Sequence, residues 1–194
     1  MALKMSRFVA FLFVALVLGA GLAHLFTMPG KMVLSGEAYL TVQQLYSDWV
    51  LLNVVLVCAL LSLGTLAWQL RPARWPLSIQ YAASARRSSG RKGRRRAFAL
   101  TLLALLAIVG DATVTWSLAH EANRATANWT FLPANWGALR AQWEYAHAAA
   151  AALDLLAFAA LVLSVLVTEK PARYRDPDES SGGRGAPLSF MAVR

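Results

Sequence analysis

Four apolar runs, at 8–26, 49–70, 97–119 and 145–167, constrain this chain more than any motif in it. The first reads FVAFLFVALVLGAGLAHLF, and the last ends in LDLLAFAALVLSVLV. A hydrocarbon core about 30 Å thick needs roughly 20 apolar helical residues to cross it, and every run is about that long. None carries the polar face of a soluble amphipathic helix. Composition agrees: 58% of the residues are hydrophobic and 15% charged, whereas a soluble domain is about one quarter charged. The expected fold is therefore all-α, a four-transmembrane-helix bundle over residues 1–170, followed by a polar, disordered tail at 171–194. A competing reading touches the first run alone. Lys4 and Arg7, an apolar stretch and then GLA resemble a cleaved signal peptide, which would leave three spans. The run exceeds the usual ~7–15-residue apolar core of such a peptide, so four spans are preferred.

Charge sets the expected topology. The connection at 71–96 holds Arg71, Arg74, Arg86, Arg87, Arg91, Lys92, Arg94, Arg95 and Arg96, and no acid. The excess of Lys and Arg in cytoplasmic loops places this segment in the cytoplasm. Lys4 and Arg7 put the N-terminus on the same side, and Lys170, Arg173 and Arg175 do the same for the C-terminus. Such a loop lies against anionic headgroups, each Lys or Arg being attracted by about 1 kcal/mol. It lacks the interleaved aromatics of a nucleic-acid surface, so no nucleic-acid partner is expected. The lipid bilayer is the first expected partner, and oligomeric state is not legible.

The other two connections, 27–48 and 120–144, are long for a compact bundle, where about two to eight residues suffice. They are expected to fold over the outer mouth as two caps. Trp129, Trp136 and Trp143 suit the headgroup level, where an apolar ring with one N–H is favoured. The run from Asn128 to Thr130 matches a glycosylation sequon. The Ala-, Arg- and Leu-rich composition reads instead as that of a bacterial protein of the inner membrane.

Ionisable groups inside the spans are the next signal. At 1.5 Å of rise per residue, His147 lies roughly 4–5 Å below the outer surface, and Asp154 roughly 15 Å below it. Asp111 lies roughly 12 Å deep in the third span and Asn53 roughly 6 Å deep in the second, with His24 at the outer end of the first. The inner half offers only Ser62, Thr65, Ser164 and Thr168. His147 and Asp154, seven residues apart, share nearly one helix face, as do Asp111 and Thr115. A carboxyl at this depth costs about 3 kcal/mol, so both aspartates are expected to face inward. Alone, each reads equally well as polar glue between helices. Together they read as a cavity in the outer half of the bundle. Ala150 and Ala151, with a stripe of Ala15, Gly19 and Ala23 in the first span, are expected to let helices approach closely there.

Glu144 and His147 form Glu-x-x-His, the spacing with which di-iron bundles aim two ligands inward. Such sites need the motif twice with two further glutamates, and this chain has it once. No cofactor is expected; a single metal on His24, His147 and a carboxylate is the alternative. Without a metal, a histidine beside a carboxylate makes a general base. Cys58, the lone cysteine, reads as a small apolar residue within its span.

Asn123, Asn128, Trp129, Pro133, Trp136, Arg140, Trp143, Glu144 and His147 fall in the pattern N-x4-N-W-x3-P-x2-W-x3-R-x2-W-E-x2-H. This pattern resembles the anthrone oxygenase-like family of small four-helix membrane proteins. The resemblance extends more loosely over about 8–167. It implies oxidation of an apolar, anthrone-like aromatic by O2, by proton abstraction and without a cofactor. His147 would be the base, oriented by Asp154 or Glu144, with His24 or Asp111 able to take its place. Arg140 or a tryptophan N–H such as that of Trp143 would bind the substrate oxygen, with His24, Asn53 and Asn128 as further substrate contacts. The rival reading is a non-catalytic membrane accessory or scaffold protein whose polar outer half binds a partner or a lipid.

Overall fold

The computed structural model describes residues 1–47, 50–72 and 88–168. Asp48, Arg74, Arg86, Arg87, Lys170, Arg173 and Arg175, and the expected tail at 171–194, lie outside the described residues. Straight-chain and small apolar residues, with few glycines and one internal proline, favour long helices here. Helix α1 covers Ala2–Met32, α2 Gly36–Gln43, α3 Val50–Leu70, α4 Ser88–Val114, α5 His120–Ala125 and α6 Trp136–Leu166. A 3-10 turn, Gln44–Tyr46, follows α2, and a π turn, Thr115–Ala119, joins α4 to α5 without a break. There is no strand among the described residues. Four helices, α1, α3, the α4–α5 continuum and α6, are long and apolar enough to cross a membrane.

These four close a ring. Helix α1 packs on α3, α3 on α4, α4 on α6 and α6 back on α1. Val14, Leu63, Leu66, Ile108 and Leu161 are fully buried at its centre. Their counterparts on the outside, such as Leu12, Leu16, Val54, Leu61, Leu106 and Leu155, are exposed. So wide an apolar surface is an aggregation liability in water and a match to lipid tails. Between helices in lipid, apolar contact gains nothing over lipid contact, so fit and polar pairing decide what packs on what.

At one end the basic segments are tied together. Arg94 donates to the carbonyls of Gln69 (2.8 Å) and Leu70 (3.4 Å). These are orphan acceptors at the C-terminus of α3, where a cation also suits the helix dipole. Arg7 donates to Thr168 Oγ1 at 2.8 Å, and Gln69 to Ser6 Oγ at 2.8 Å. The opposite end carries the cap: α2, the 3-10 turn and the 126–135 connection.

The close approach of α1 to α6 occurs on a different face from the expected one. Ala15, Gly19 and Ala23 are exposed, and a Cβ on Gly19 would meet nothing within 4 Å. The intimate contact is at Gly21, where a Cβ would lie 2.9 Å from Asp154 Oδ2 and 3.2 Å from the Ala151 Cα. A stripe of three small side chains at four-residue spacing can lie on an exposed face as well as on a packed one. The buried carboxyl on α6 selects the face that carries Gly21. In thermal unfolding of detergent-solubilised protein, Gly21→Ala is therefore expected to cost about 1–3 kcal/mol by overpacking. Gly19→Ala, at an open position, is expected to stabilise by up to about 1 kcal/mol through helix propensity.

Candidate functional site

The cap begins where α5 ends. Thr126, buried, donates its hydroxyl to the Ala122 carbonyl at 2.8 Å and accepts from the Trp129 amide at 3.1 Å. Its own carbonyl accepts from the amides of Thr130 and Phe131. These bonds hold Ala127, Asn128 and Trp129 at φ 49°, 55° and 60°, one left-handed turn. For L-residues other than Asn and Asp that conformation costs roughly 1–2 kcal/mol each, and it persists only where the surroundings enforce it. Its result is positional. Trp129 is driven into the cap, its Nε1 donating to Asn123 Oδ1 at 2.9 Å and its carbonyl accepting from Gln44 Nε2 at 2.9 Å. Asn128 and Thr130 are left at the rim of a cavity. Trp129 and Trp143 are thus buried in a second small core with Tyr39, Leu139 and Ala146, and are not the exposed headgroup-level rings that their residue type suggested.

Beneath this core lies a buried ion pair. Lys31, in the last turn of α1, places Nζ 2.7 Å from Glu144 Oε2, and both side chains are almost inaccessible. Tyr39 of α2 donates to Glu144 Oε1 at 3.0 Å, and Gln43 donates in turn to the Tyr39 hydroxyl. The Lys31 ammonium also lies 5.3 and 5.0 Å from the ring centres of Tyr46 and Trp143, within cation–π range. Arg140, one turn before Glu144, donates to the Leu34 carbonyl at 2.8 Å and packs over the rings of Trp136 and Tyr39. Both of Glu144's oxygens are therefore engaged by α1 and α2, and Arg140 pins the chain between those helices. Burial, then the neighbouring Glu144 charge, push the Tyr39 phenol well above its ordinary value. Burial does the same to Tyr46, opposed by a hydrogen bond with Thr27 and assisted by the Glu144 charge.

Next to the ion pair opens a cavity of about 760 Å³. Seven of the nine residues expected at the site line it: His24, Asn53, Asp111, Asn128, Trp143, His147 and Asp154. Glu144 and Arg140 are not among its lining residues and belong to the network behind Trp143. The upper wall is a stack of rings. The His24 and His147 centroids are 4.6 Å apart, His147 and Trp143 4.0 Å, and His24 and Tyr46 4.5 Å. His147 Nδ1 is 2.8 Å from the Trp143 carbonyl. A carbonyl only accepts, so Nδ1 carries the hydrogen and Nε2 is the basic nitrogen. Trp143 Nε1 is buried with no acceptor.

Deeper in the bundle the two aspartates meet. Asp111 of α4 and Asp154 of α6 face each other on the wall of the same cavity, and Thr115 donates to Asp111 Oδ1 at 3.1 Å. Asp154 Oδ1 is buried with no hydrogen-bond partner. The two histidines gain no third ligand of the kind a metal site uses: no group of three or more His, Cys, Asp or Glu converges among the described residues.

Lys31, Tyr39, Tyr46, Trp116 and His120 also belong to this end of the bundle and were not anticipated. Trp116 and His120 are stacked at 4.6 Å on the cavity wall, where the π turn presents them. Lys31 had a usable signal, as the single cation of the 27–48 segment. The chain matches no protein-family model, no curated protein and no solved structure.

Removing one member of a buried pair strands the other's charge, at about 3–5 kcal/mol. Lys31→Met is expected to lower the unfolding midpoint accordingly, and Lys31→Met with Glu144→Gln to recover much of the loss. Tyr39 gives a pH signature. Its folded pKa is raised, so its contribution is intact below about pH 10 and is lost as pH rises beyond, where the unfolded phenol ionises and the folded one does not. Stability measured from pH 8 to 11 should fall more steeply in the wild type than in Tyr39→Phe.

Proposed function

We propose that the chain is an integral membrane oxygenase, with both termini cytoplasmic, acting on a planar, apolar carbon acid of the anthrone class. The observation that carries the reading is the His147 ring. A hydrogen bond to its own helix fixes the tautomer that leaves Nε2 basic, and the ring lines a cavity with aromatic walls. Such a substrate partitions into lipid and suits a slot of this size lined by rings and a few polar groups.

In this reading His147 Nε2 takes one proton from the substrate methylene. The resulting carbanion is delocalised onto the carbonyl oxygen, where the Trp143 N–H supplies the donor, assisted by Asn53 and Asn128 at the rim. The carbanion passes one electron to O2, and the radical pair combines into a carbon–oxygen bond. The peroxide anion takes back the proton held on His147, giving a hydroperoxide. Glu144 and Arg140 act on this chemistry at one remove, by fixing the turn of α6 that presents Trp143 and His147.

The test is oxygen consumption by purified protein in nanodiscs supplied with an anthrone. Wild-type protein is expected to take up O2 and release the quinone. His147→Ala should lose at least 100-fold of the rate at an unchanged unfolding midpoint, in line with the ~10²–10⁴-fold typical of a general base. Absence of uptake by well-folded wild-type protein, or indifference to the His147 substitution, would instead favour an accessory protein whose cavity holds a lipid or a partner's side chain.

A further inference from the structure

The cavity is not closed on every side. Its walls on α1 and α6 are sealed, with Val17, His24, Trp143 and Ala150 all buried. Across from them, Asn53 of α3, Trp116 of the π turn and His120 of α5 line the same space and are exposed on the outside. A side chain that borders a cavity and also the outer surface marks where that cavity opens. The packing agrees. Helix α4 packs on α3, but the π turn beyond it packs on α4, α5 and α6, with no comparable contact to α3. A slot therefore runs between α3 and the π turn, from the cap down to Leu56 and Ala112, which also line the cavity. The cap leaves a second opening at its rim, where Asn128 and Thr130 are exposed.

Lipid tails lie outside the slot. Asn53 and Leu56 stand roughly 5 and 9 Å beyond the start of α3, a membrane-length helix. Leu51, Val54 and Val57 beside them are exposed, as are Val109 and Leu118 on the opposite edge. The exposed hydroxyls of that edge turn back on their own helix. Thr113 donates to the Val109 carbonyl at 2.8 Å, and Ser117 to the Thr113 carbonyl at 2.7 Å. Such bonds suit a surface with no water to satisfy its polar groups. Trp116 is 72% exposed and on the cavity wall at once, its ring stacked on His120 at 4.6 Å and 6°. A tryptophan serving only as a headgroup-level anchor has no reason to border the cavity. The two parallel rings form one flat edge of the opening. Charge restricts what passes. No Lys or Arg is among the lining residues, and the nearby Lys31 ammonium is taken by Glu144. A carboxylate or phosphate group entering here would lose water and gain no cation, which is costly.

We propose that the cavity is loaded sideways from the bilayer, through the slot between α3 and the π turn, by uncharged flat molecules dissolved in the lipid. This deepens the oxygenase reading and rests on one part of it, that the cavity takes a flat apolar guest. An entrance differs from a binding contact in its kinetics. Losing a contact changes chiefly the release rate. Narrowing an entrance slows association and release alike, and leaves their ratio, the affinity, in place.

Anthracene is the probe: flat and uncharged, it lacks the acidic methylene and so reports entry without chemistry. Stopped-flow energy transfer from tryptophan to anthracene, with the protein in nanodiscs, gives the association and release rates of the saturable phase. Ala112→Phe, which fills the slot, is expected to slow both rates about 10-fold or more while the affinity stays within about threefold. Trp116→Ala, which widens the slot, should speed both. Thr130→Trp, at the rim, should change neither by more than about twofold. Anthracene-2-sulfonate, which is charged and stays in water, should show no saturable phase. Slowing by Thr130→Trp but not by folded Ala112→Phe would overturn the proposal. So would unchanged rates in Trp116→Ala, saturable binding of the sulfonate, or no saturable binding of anthracene by the wild type. Should Ala112→Phe fail to fold, Trp116→Ala and Thr130→Trp decide between slot and rim. Anthracene kinetics as expected, with no oxygen uptake from anthrone, would sink the oxygenase and leave the entrance standing. Oxygen uptake with entry controlled at the rim would do the reverse.

Discussion

A lysine and a glutamate, both cut off from water, hold the capped end of this molecule together. Lys31 ends α1 and Glu144 begins the membrane-length stretch of α6. Tyr39 brings α2 to the same carboxylate, and the ammonium lies against the rings of Tyr46 and Trp143. Desolvating two charges is expensive, and a buried pair is rarely better than well-packed apolar residues for stability alone. What such a pair supplies here is registry. The carboxylate is satisfied only when α1, α2 and α6 stand at one mutual height, and that height sets where Trp143 and His147 project. The network behind the cavity and the side chains that line it are therefore linked through one helical turn, from Arg140 to Trp143 and Glu144.

The cavity is graded from top to bottom. Its upper part is walled by His24, Tyr46, Trp143 and His147, rings with faces that suit a flat apolar guest. Its lower part ends in two carboxyls and a threonine hydroxyl. Below them the central core is mostly apolar, from Val14 and Leu63 to Leu161, with Thr101 and Ser164 as buried hydroxyls. Ser62, Thr65 and Ser164 in that lower half donate to carbonyls of their own helices. Polar chemistry is thus confined to one half of the bundle by what the other half lacks.

Much of this was legible in the chain. Hydropathy alone locates four membrane-length helices, because length and apolar character are local properties. Depth, which is counting along a helix, put Asp111, Asp154, His147, His24 and Asn53 in one half of the bundle, and these five line the same cavity. What counting could not supply was rotation and pairing. Glu144 reads as a neighbour of His147 one turn away, yet its oxygens turn toward Lys31 and Tyr39, partners more than a hundred residues distant in the chain. Arg140 reads as a free substrate clamp but has a backbone carbonyl to satisfy at Leu34. The stripe of Ala15, Gly19 and Ala23 reads as a packing face because small residues recur there, while the lone Gly21 has no period to announce it. Three consecutive left-handed residues contain no glycine, and Asn128 alone among Ala127, Asn128 and Trp129 is of a type that adopts this conformation readily.

The π turn at Thr115–Ala119 sets the phase of the helix beyond it. Such a turn accommodates one residue more than the α-helix it interrupts, and one residue of helix is about 100° of rotation. A single codon gained within an older, regular helix would swing everything beyond it by that angle. His120 and Asn123 lie beyond the turn and line the cavity. A kindred chain one residue shorter here would keep the bundle and the aspartate pair, yet present a different wall to whatever molecule enters.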